Sequence, residues 1–305
     1  MARLSIIIPA ICDTLALEDT LVSVLSHRPA DSEILLPHAA TYDDPYGVGE
    51  EVTLLDLPAR TTSSELIAAA IKQSQGDVVH LLLPGCEVDS DWCVEPLAYF
   101  AKPEVASVTP ILLGDSLSSH GTCGVAQSLL GRKNVRSSTI AGDAAEQSVL
   151  GPTIRAGFYR RRALEQIGGW PTGVGLALSD LDVALSLREI GYDFRVASTC
   201  RIIARGELPT EGALTLAMAQ EQLFRRHSQS GARKALRPAT SLWQCLSAGM
   251  PWQMAAAAAG KLMACFHGTS ARQHQELLKA AESAASMDSI AEHNEDHDAP
   301  LRRAA

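Results

Sequence analysis

The chain of 305 residues lacks most of the short signatures that tie a sequence to one chemistry. It has no phosphate-binding G-x-x-x-x-G-K-[ST] loop, no G-x-S-x-G elbow and no H-E-x-x-H pair, which removes the sequence basis for P-loop hydrolysis, serine-hydrolase acyl transfer and zincin proteolysis. "GVG" at Gly47 to Gly49 and again at Gly173 to Gly175 is too short for a dinucleotide fingerprint. None of the seven cysteines forms a C-x-x-C pair, and most lie in apolar contexts, so buried thiols of a reducing compartment, with a cytoplasmic location, are expected rather than disulfides or zinc. Basic clusters are scarce as well. Lys and Arg number 26 against 35 Asp and Glu, the formal net charge is -9, and the only tight run is Arg160 to Arg162, which excludes a nucleic-acid surface. Long apolar runs are also missing: "MARLSIIIPA" is too short for a signal peptide and reads as a first strand, and Met250 to Phe266 is Ala-rich and interrupted by Gln253 and Lys261. A packed helix is expected there, with no transmembrane span.

What is present is enough apolar material, 46% of residues, to bury a sizeable core. Short β-branched runs ("LSIIIP", "EILLP", "VTLLDL", "DVVHLLLP") alternate with helical patterns ("LEDTLVSVLSH", "SSELIAAAIKQSQ"). Near-continuous apolar strands separated by helices predict an α/β fold with a mostly parallel central sheet covered on both faces. Such sheets bind ligands at the carboxyl ends of their strands, here the loops after Ile8, Leu36, Leu57 and Leu83. Ser63 and Ser64 are the expected N-cap of the helix that follows them, and Gly76 its end. From Glu211 the pattern turns to helices and charged spacers, so residues 1–210 form the sheet domain, 211–288 a helical C-terminal region, and 289–305 a frayed tail. His293 and His297 with their acidic neighbours offer loose chelation as the other reading of that tail.

The order of elements resembles the family 2 glycosyltransferases of the GT-A fold over roughly the first two thirds of the chain. "LSIIIPA" is similar to the family's opening strand, "EILLPHAATYDD" to its second strand and acidic turn, and "ELIAAAIKQSQGDVVHLLLPGCEVDSDW" to the helix and strand that lead to its metal-binding acids. The most specific match is Gly157 to Ala197, "GFYRRRALEQIGGWPTGVGLALSDLDVALSLREIGYDFRVA", which resembles the acceptor-side segment with its Gly-Gly-aromatic turn, Glu-Asp-x-Asp motif and Arg-x-x-Gly-Tyr.

The resemblance implies transfer of a sugar from a nucleotide-sugar to an acceptor glycan, lipid or protein, with inversion at the anomeric carbon. Such a reaction needs the diphosphate neutralised, ordinarily by a divalent cation such as Mn or Mg, and the acceptor proton removed by a carboxylate. Asp180 matches the second acid of the Glu-Asp motif and is the candidate base, with Ser179 replacing the first acid; either residue also suits a helix N-cap. Asp182 falls on the acceptor side, in the expected first helical turn, where a negative charge favours the dipole. Gly169 and Trp170 form the acceptor-side turn, Trp170 as a sugar platform or as core. On the donor side the resemblance implies Pro9 and Glu87, with Glu87 the single carboxylate in register for metal. Here the sequence departs from the family: Pro37-His38-Ala39 replaces a base-contacting acid, Ile67 and Ala68 an Arg-Asn pair, Gly85 a metal-binding Asp, and Ala204 or Arg205 a metal-facing His. Pro171-Thr172 likewise replaces the acid expected after the Gly-Gly-aromatic turn. The literal Asp89-Ser90-Asp91 reads as a helix cap or as a metal motif. Arg155, Arg160 to Arg162, Arg201 and Arg205 are available to a cation-free mechanism, surface solvation being their other reading. A second class of function also fits these losses, a catalytically silent homologue that binds or scaffolds a protein partner.

Overall fold

The computed structural model describes residues 3–11, 14–39, 47–114, 121–128, 132–138, 149–227, 259, 273–281 and 283. Strands β1 (Leu4–Ile7), β2 (Ser32–Ala39), β3 (Thr53–Leu57) and β4 (Val78–Leu82) are mutually parallel in the spatial order β3-β2-β1-β4. The sheet continues through β9 (Ala156–Arg160), antiparallel to both β4 and β6 (Val105–Leu113), and then β10 (Asp193–Ala204), parallel to β6. The central sheet is therefore mostly parallel. The two-residue β5 (Cys86–Glu87) closes it against the end of β10, and the hairpin of β7 (Gly121–Gln127) and β8 (Lys133–Ser138) branches from β6.

The apolar runs explain why β1, β2 and β4 are strands buried on both faces, while β3 at the sheet's edge is half exposed. Alternate side chains point to opposite faces: Leu4, Ile6, Ile34, Leu36, Val78 and Leu82 enter one core, while Ile7, Leu35, Val79 and Leu81 enter the other. Helix α1 (Thr14–His27) covers the first face through Leu17, Leu21 and Val24. Helices α2 (Ser63–Gln73) and α5 (Gly175–Glu189) cover the second through Ile67, Ala70, Val183 and Leu187, with the short α4 (Arg161–Gln166) adding Leu164. Each of the Leu, Ile and Val side chains among these contributes about 1.5–3 kcal/mol of transfer free energy when fully buried.

Local signals differ from expectation at three helix ends. Helix α2 is capped by Thr62, which forms a reciprocal capping box with Glu65, while Ser64 is buried. The helix ends at Gln73 with Ser74 as its C-cap, and Gly76 serves packing, because a Cβ there would lie 2.6 Å from Ser5 Oγ. Helix α3 (Val94–Tyr99) has Cys93 as N-cap, so neither Ser90 nor Asp91 caps it, and Asp91 adopts φ 58°.

Beyond the sheet, α6 (Ala213–His227) and α7 (residues 273–281) are helical as expected for this region. Glu211 meets the first turn of α5 and His227 meets Glu189 in its last, so α6 runs beside α5 in the same direction. Helix α7 docks Leu278 into the second core. The Met250 to Phe266 stretch lies outside the described residues apart from Ala259, and the tail lies wholly outside them. No helix among the described residues is long and apolar enough to cross a membrane.

Candidate functional site

The end of β4 turns through Leu83-Pro84-Gly85-Cys86, closed by Cys86 N–H donating to Leu83 O at 3.2 Å. Proline second and a glycine with φ +86° third are what a type II turn requires. Gly85 donates its N–H to Ala16 O and Thr20 Oγ1, and its carbonyl accepts from Arg205 N at 2.7 Å. A Cβ at Gly85 would stand 2.6 Å from Arg205 O, so the position where the family pattern has an Asp has no room for a side chain. Glu87 pairs with Arg205, Oε1 to Nε 3.0 Å. Arg155 reaches the same corner, its guanidinium donating to the carbonyls of Arg205 and Gly206. One carboxylate already bound to an arginine, beside a closed glycine turn, does not fit a divalent ion, which wants several oxygen ligands.

Pro9 is buried at the end of β1, where Ala10 N–H bonds Pro37 O. His38 is buried at the end of β2, which continues to Ala39, three residues past the expected end at Leu36. The acidic turn Tyr42-Asp43-Asp44 lies outside the described residues. Ile67 is fully buried in the second core. Of the other arginines, Arg160 donates to the carbonyls of Phe100, Lys102 and Val105, and Arg161 to Gly76 O and Glu165, on the opposite edge of the sheet.

Asp180 is in the second turn of α5, not at its cap. The first-turn amides of Leu176 and Ala177 are met by Glu211 Oε1, at 2.6 and 3.4 Å, a carboxylate supplied from a distant part of the chain. Asp180 Oδ2 accepts from Lys133 Nζ at 2.6 Å and from Ile154 N–H at 2.8 Å, and Oδ1 accepts from Leu181 N–H. Lys133 Nζ also donates to Ala177 O. The β7–β8 hairpin thus lays a lysine over the candidate base.

Gly169, Trp170 and Asp182 do come together. Gly168 and Gly169 take φ +88° and +85° as α4 ends, conformations that glycine adopts without strain, and the turn leads into Trp170. Trp170 is buried edge-on against Tyr159, ring centroids 5.6 Å apart. With Asp182, Ser186, Arg226 and His274 these residues line a cavity of about 190 Å³ between α5, α6 and α7. Asp182 is in mid-helix, not the first turn. Its Oδ2 accepts from Arg226, and its Oδ1 from His227 Nε2 at 2.8 Å. His227 Nδ1 reaches Glu189 Oε1 at 2.9 Å, and His274 Nε2 reaches Ser186 Oγ at 3.1 Å. Burial opposes charge on His227, but its bonds to Asp182 and Glu189 outweigh that and raise its pKa to about 9. Asp182, despite burial acting the other way, is held below its ordinary value by His227 and Arg226. His274 is pushed down to about 4, chiefly by burial and then by Arg226. Asp182, His227 and His274 bring three ligand atoms within 4.8 Å of one another. Sequence spacing carried no signal of this cluster, whose members sit on three separate helices.

No family model matches the chain, and no curated protein sequence matches it. Its fold matches solved structures. The mannosyltransferase PcManGT from Pyrobaculum calidifontis, in complex with GDP-Man and Mn2+, aligns over 95% of this chain and 87% of its own with a TM-score of 0.52 at 17% identity. GalNAc-T7, with UDP, GalNAc and Mn2+, aligns over 76% of this chain and 51% of its own with a TM-score of 0.57 at 12% identity. The chain has the GT-A glycosyltransferase fold.

Proposed function

We propose that the protein is a nucleotide-sugar-dependent glycosyltransferase of the family 2 pattern, which inverts at the anomeric carbon and meets the donor diphosphate with arginines. The observation that carries this reading is the convergence of Arg155 and Arg205 at the carboxyl end of β4, with Glu87 holding Arg205 in place. Sheets of this kind bind ligands at that edge, and guanidinium groups bind phosphate oxygens bidentately. Pro9 lies at the same edge, at the end of β1. Both matched structures hold Mn2+, and a divalent ion at Glu87 here would first have to displace Arg205.

In the transfer step an acceptor hydroxyl attacks the anomeric carbon, its proton passes to Asp180, and the nucleoside diphosphate leaves on the opposite face. Removing the base costs roughly two to four powers of ten in rate. Asp180 reaches substrate only after the Lys133 side chain has left Oδ2, so donor or acceptor binding must draw that lysine away. The buried thiols of Cys86, Cys93, Cys123 and Cys200 fit a reducing compartment such as the cytoplasm.

A second reading, a catalytically silent homologue that binds a protein partner, is favoured by the fact that Glu87, Asp180 and Asp182 are each already paired with a cation. Titration calorimetry with UDP, GDP and their sugar conjugates, with and without Mn2+, separates the two. The transferase reading expects nucleotide binding with little dependence on Mn2+, weakened about tenfold or more by Arg155→Ala or Arg205→Ala, the loss of one charged hydrogen bond. It also expects donor turnover that Asp180→Asn abolishes. Nucleotide binding without turnover in any acceptor mixture would favour the silent homologue, and no nucleotide binding under either condition would sink the transferase reading.

A further inference from the structure

We propose that Asp182, His227 and His274 form a binding site for one divalent ion of the zinc class, separate from the donor edge, which ties α5, α6 and α7 together. Two imidazoles and one carboxylate, all buried and with ligand atoms within 4.8 Å of one another, are a donor set suited to a borderline ion that takes four ligands. Oxygen-only ions such as Mg2+ have little use for imidazole.

The surroundings of His227 and Asp182 match what a metal's ligands need from their neighbours. A ligating histidine ordinarily donates its second ring N–H to a carboxylate, which fixes the tautomer and aims the free nitrogen. His227 does this, with Nδ1 on Glu189 Oε1 and Nε2 turned to Asp182. A ligating carboxylate is in turn held by hydrogen bonds. Arg226 holds Asp182 through Oδ2, leaving Oδ1 to face the histidines. The rings of His227 and His274 stand 5.8 Å apart and nearly perpendicular, so they do not stack. The ion takes the place of the proton shared between His227 Nε2 and Asp182 Oδ1. Replacing one proton by a dication leaves the cluster one unit more positive. The adjoining cavity, which Asp182 and His274 both line, has room for a water or hydroxide as fourth ligand.

The function of such an ion is cross-linking. His274 comes from α7, which Leu278 and Ala281 pack into the second core and Gln275 ties to the carbonyls of Arg225 and Arg226. A metal there docks the C-terminal helix against the wall that carries Gly169 and Trp170.

The test uses the full chain, stripped of metal and titrated with Zn2+ and, separately, with Co2+. The expected result is one equivalent bound, visible bands of four-coordinate Co2+, and a higher melting temperature with Zn2+. His274→Ala should abolish the Co2+ bands while the far-ultraviolet circular dichroism is retained. Glu189→Gln, which touches only the orientation of His227, should weaken binding about 10–100-fold. His274→Gln guards against a packing defect in the alanine variant. If no equivalent binds, the proposal is wrong. It is equally overturned if binding persists in His274→Ala and disappears when His293 and His297 are both replaced by Ala, since that puts the ion in the C-terminal residues.

Discussion

Lys133 Nζ and Asp180 Oδ2 lie 2.6 Å apart in an ion pair whose carboxylate is 0% exposed and whose ammonium is 16% exposed. Removing one member of such a pair leaves the other buried and uncompensated, which costs about 3–5 kcal/mol. Lys133→Met should therefore destabilise the fold by that amount in urea unfolding. Adding Asp180→Asn to it should restore most of the loss, because the charge left behind is then gone. If the single and double variants lose the same stability, the pair is not the source.

Gly85→Asp restores the acid that the family pattern has at the end of β4. It should nevertheless gain no Mn2+ binding and should lose at least about 2 kcal/mol, since a left-handed φ and a Cβ contact of 2.6 Å to Arg205 O both oppose a side chain. Thermal shift with and without Mn2+ reads both outcomes.

In the metal-free protein, stability should peak near pH 6.5 and fall on both sides, for reasons that lie in three histidines. His227, which faces Asp182, Glu189, Arg226 and His274, is raised to about 9. Its contribution, on the order of 3 kcal/mol, is complete below the unfolded value of about 6.5 and is lost as pH rises towards 9. His80 is pushed to about 3 by burial between Trp92 and Phe158, and His274 to about 4, so their contributions are present above about 6.5 and are lost as pH falls. Melting temperatures from pH 4 to 10 should show the dome. His227→Gln should flatten its alkaline limb and His80→Phe its acid limb.

Glu211→Ala should cost about 1–2 kcal/mol, because it strips the amides of Leu176 and Ala177 of their acceptor at the start of α5. Glu211→Gln, which keeps an oxygen at that place, should recover part of it.

The sheet was legible in the sequence because strands buried on both faces need no alternation: "LSIIIP" and "VVHLLLP" are short apolar runs ended by Pro, too short for a typical helix. The Gly168-Gly169 turn was legible for a similar reason, two left-handed residues being a requirement that glycine meets. What could not be read were partners. Asp180 looked like a cap because Ser and Asp cap helices everywhere, and nothing nearby pointed to Glu211 as the residue that fills that role. Lys133 belongs to a polar hairpin strand, "KNVRSS", with no feature that marks it as half of a buried pair. Asp182, His227 and His274 share no helical spacing, since they meet only through the packing of three helices. The Pro84-Gly85 pair announced a turn, whereas the closeness of Arg205 O, which forbids a side chain there, depends on the register of β5 against β10.

The reach of Glu211 back to α5 bears on how the molecule assembles as it is made. Chains emerge from the ribosome N-terminus first, and earlier parts begin to fold before later parts exist. Helix α5 starts at Gly175, yet the carboxylate that meets its opening amides arrives 35 residues after Leu176, and the cation that matches Asp182 arrives 44 residues after it. The last helix of the sheet domain must wait, with its amides and a buried charge unmet, until α6 has cleared the exit tunnel. A ribosome stalled before Arg226 should hold a nascent domain that proteases still open at α5, and one stalled well beyond His227 should hold a domain that resists them.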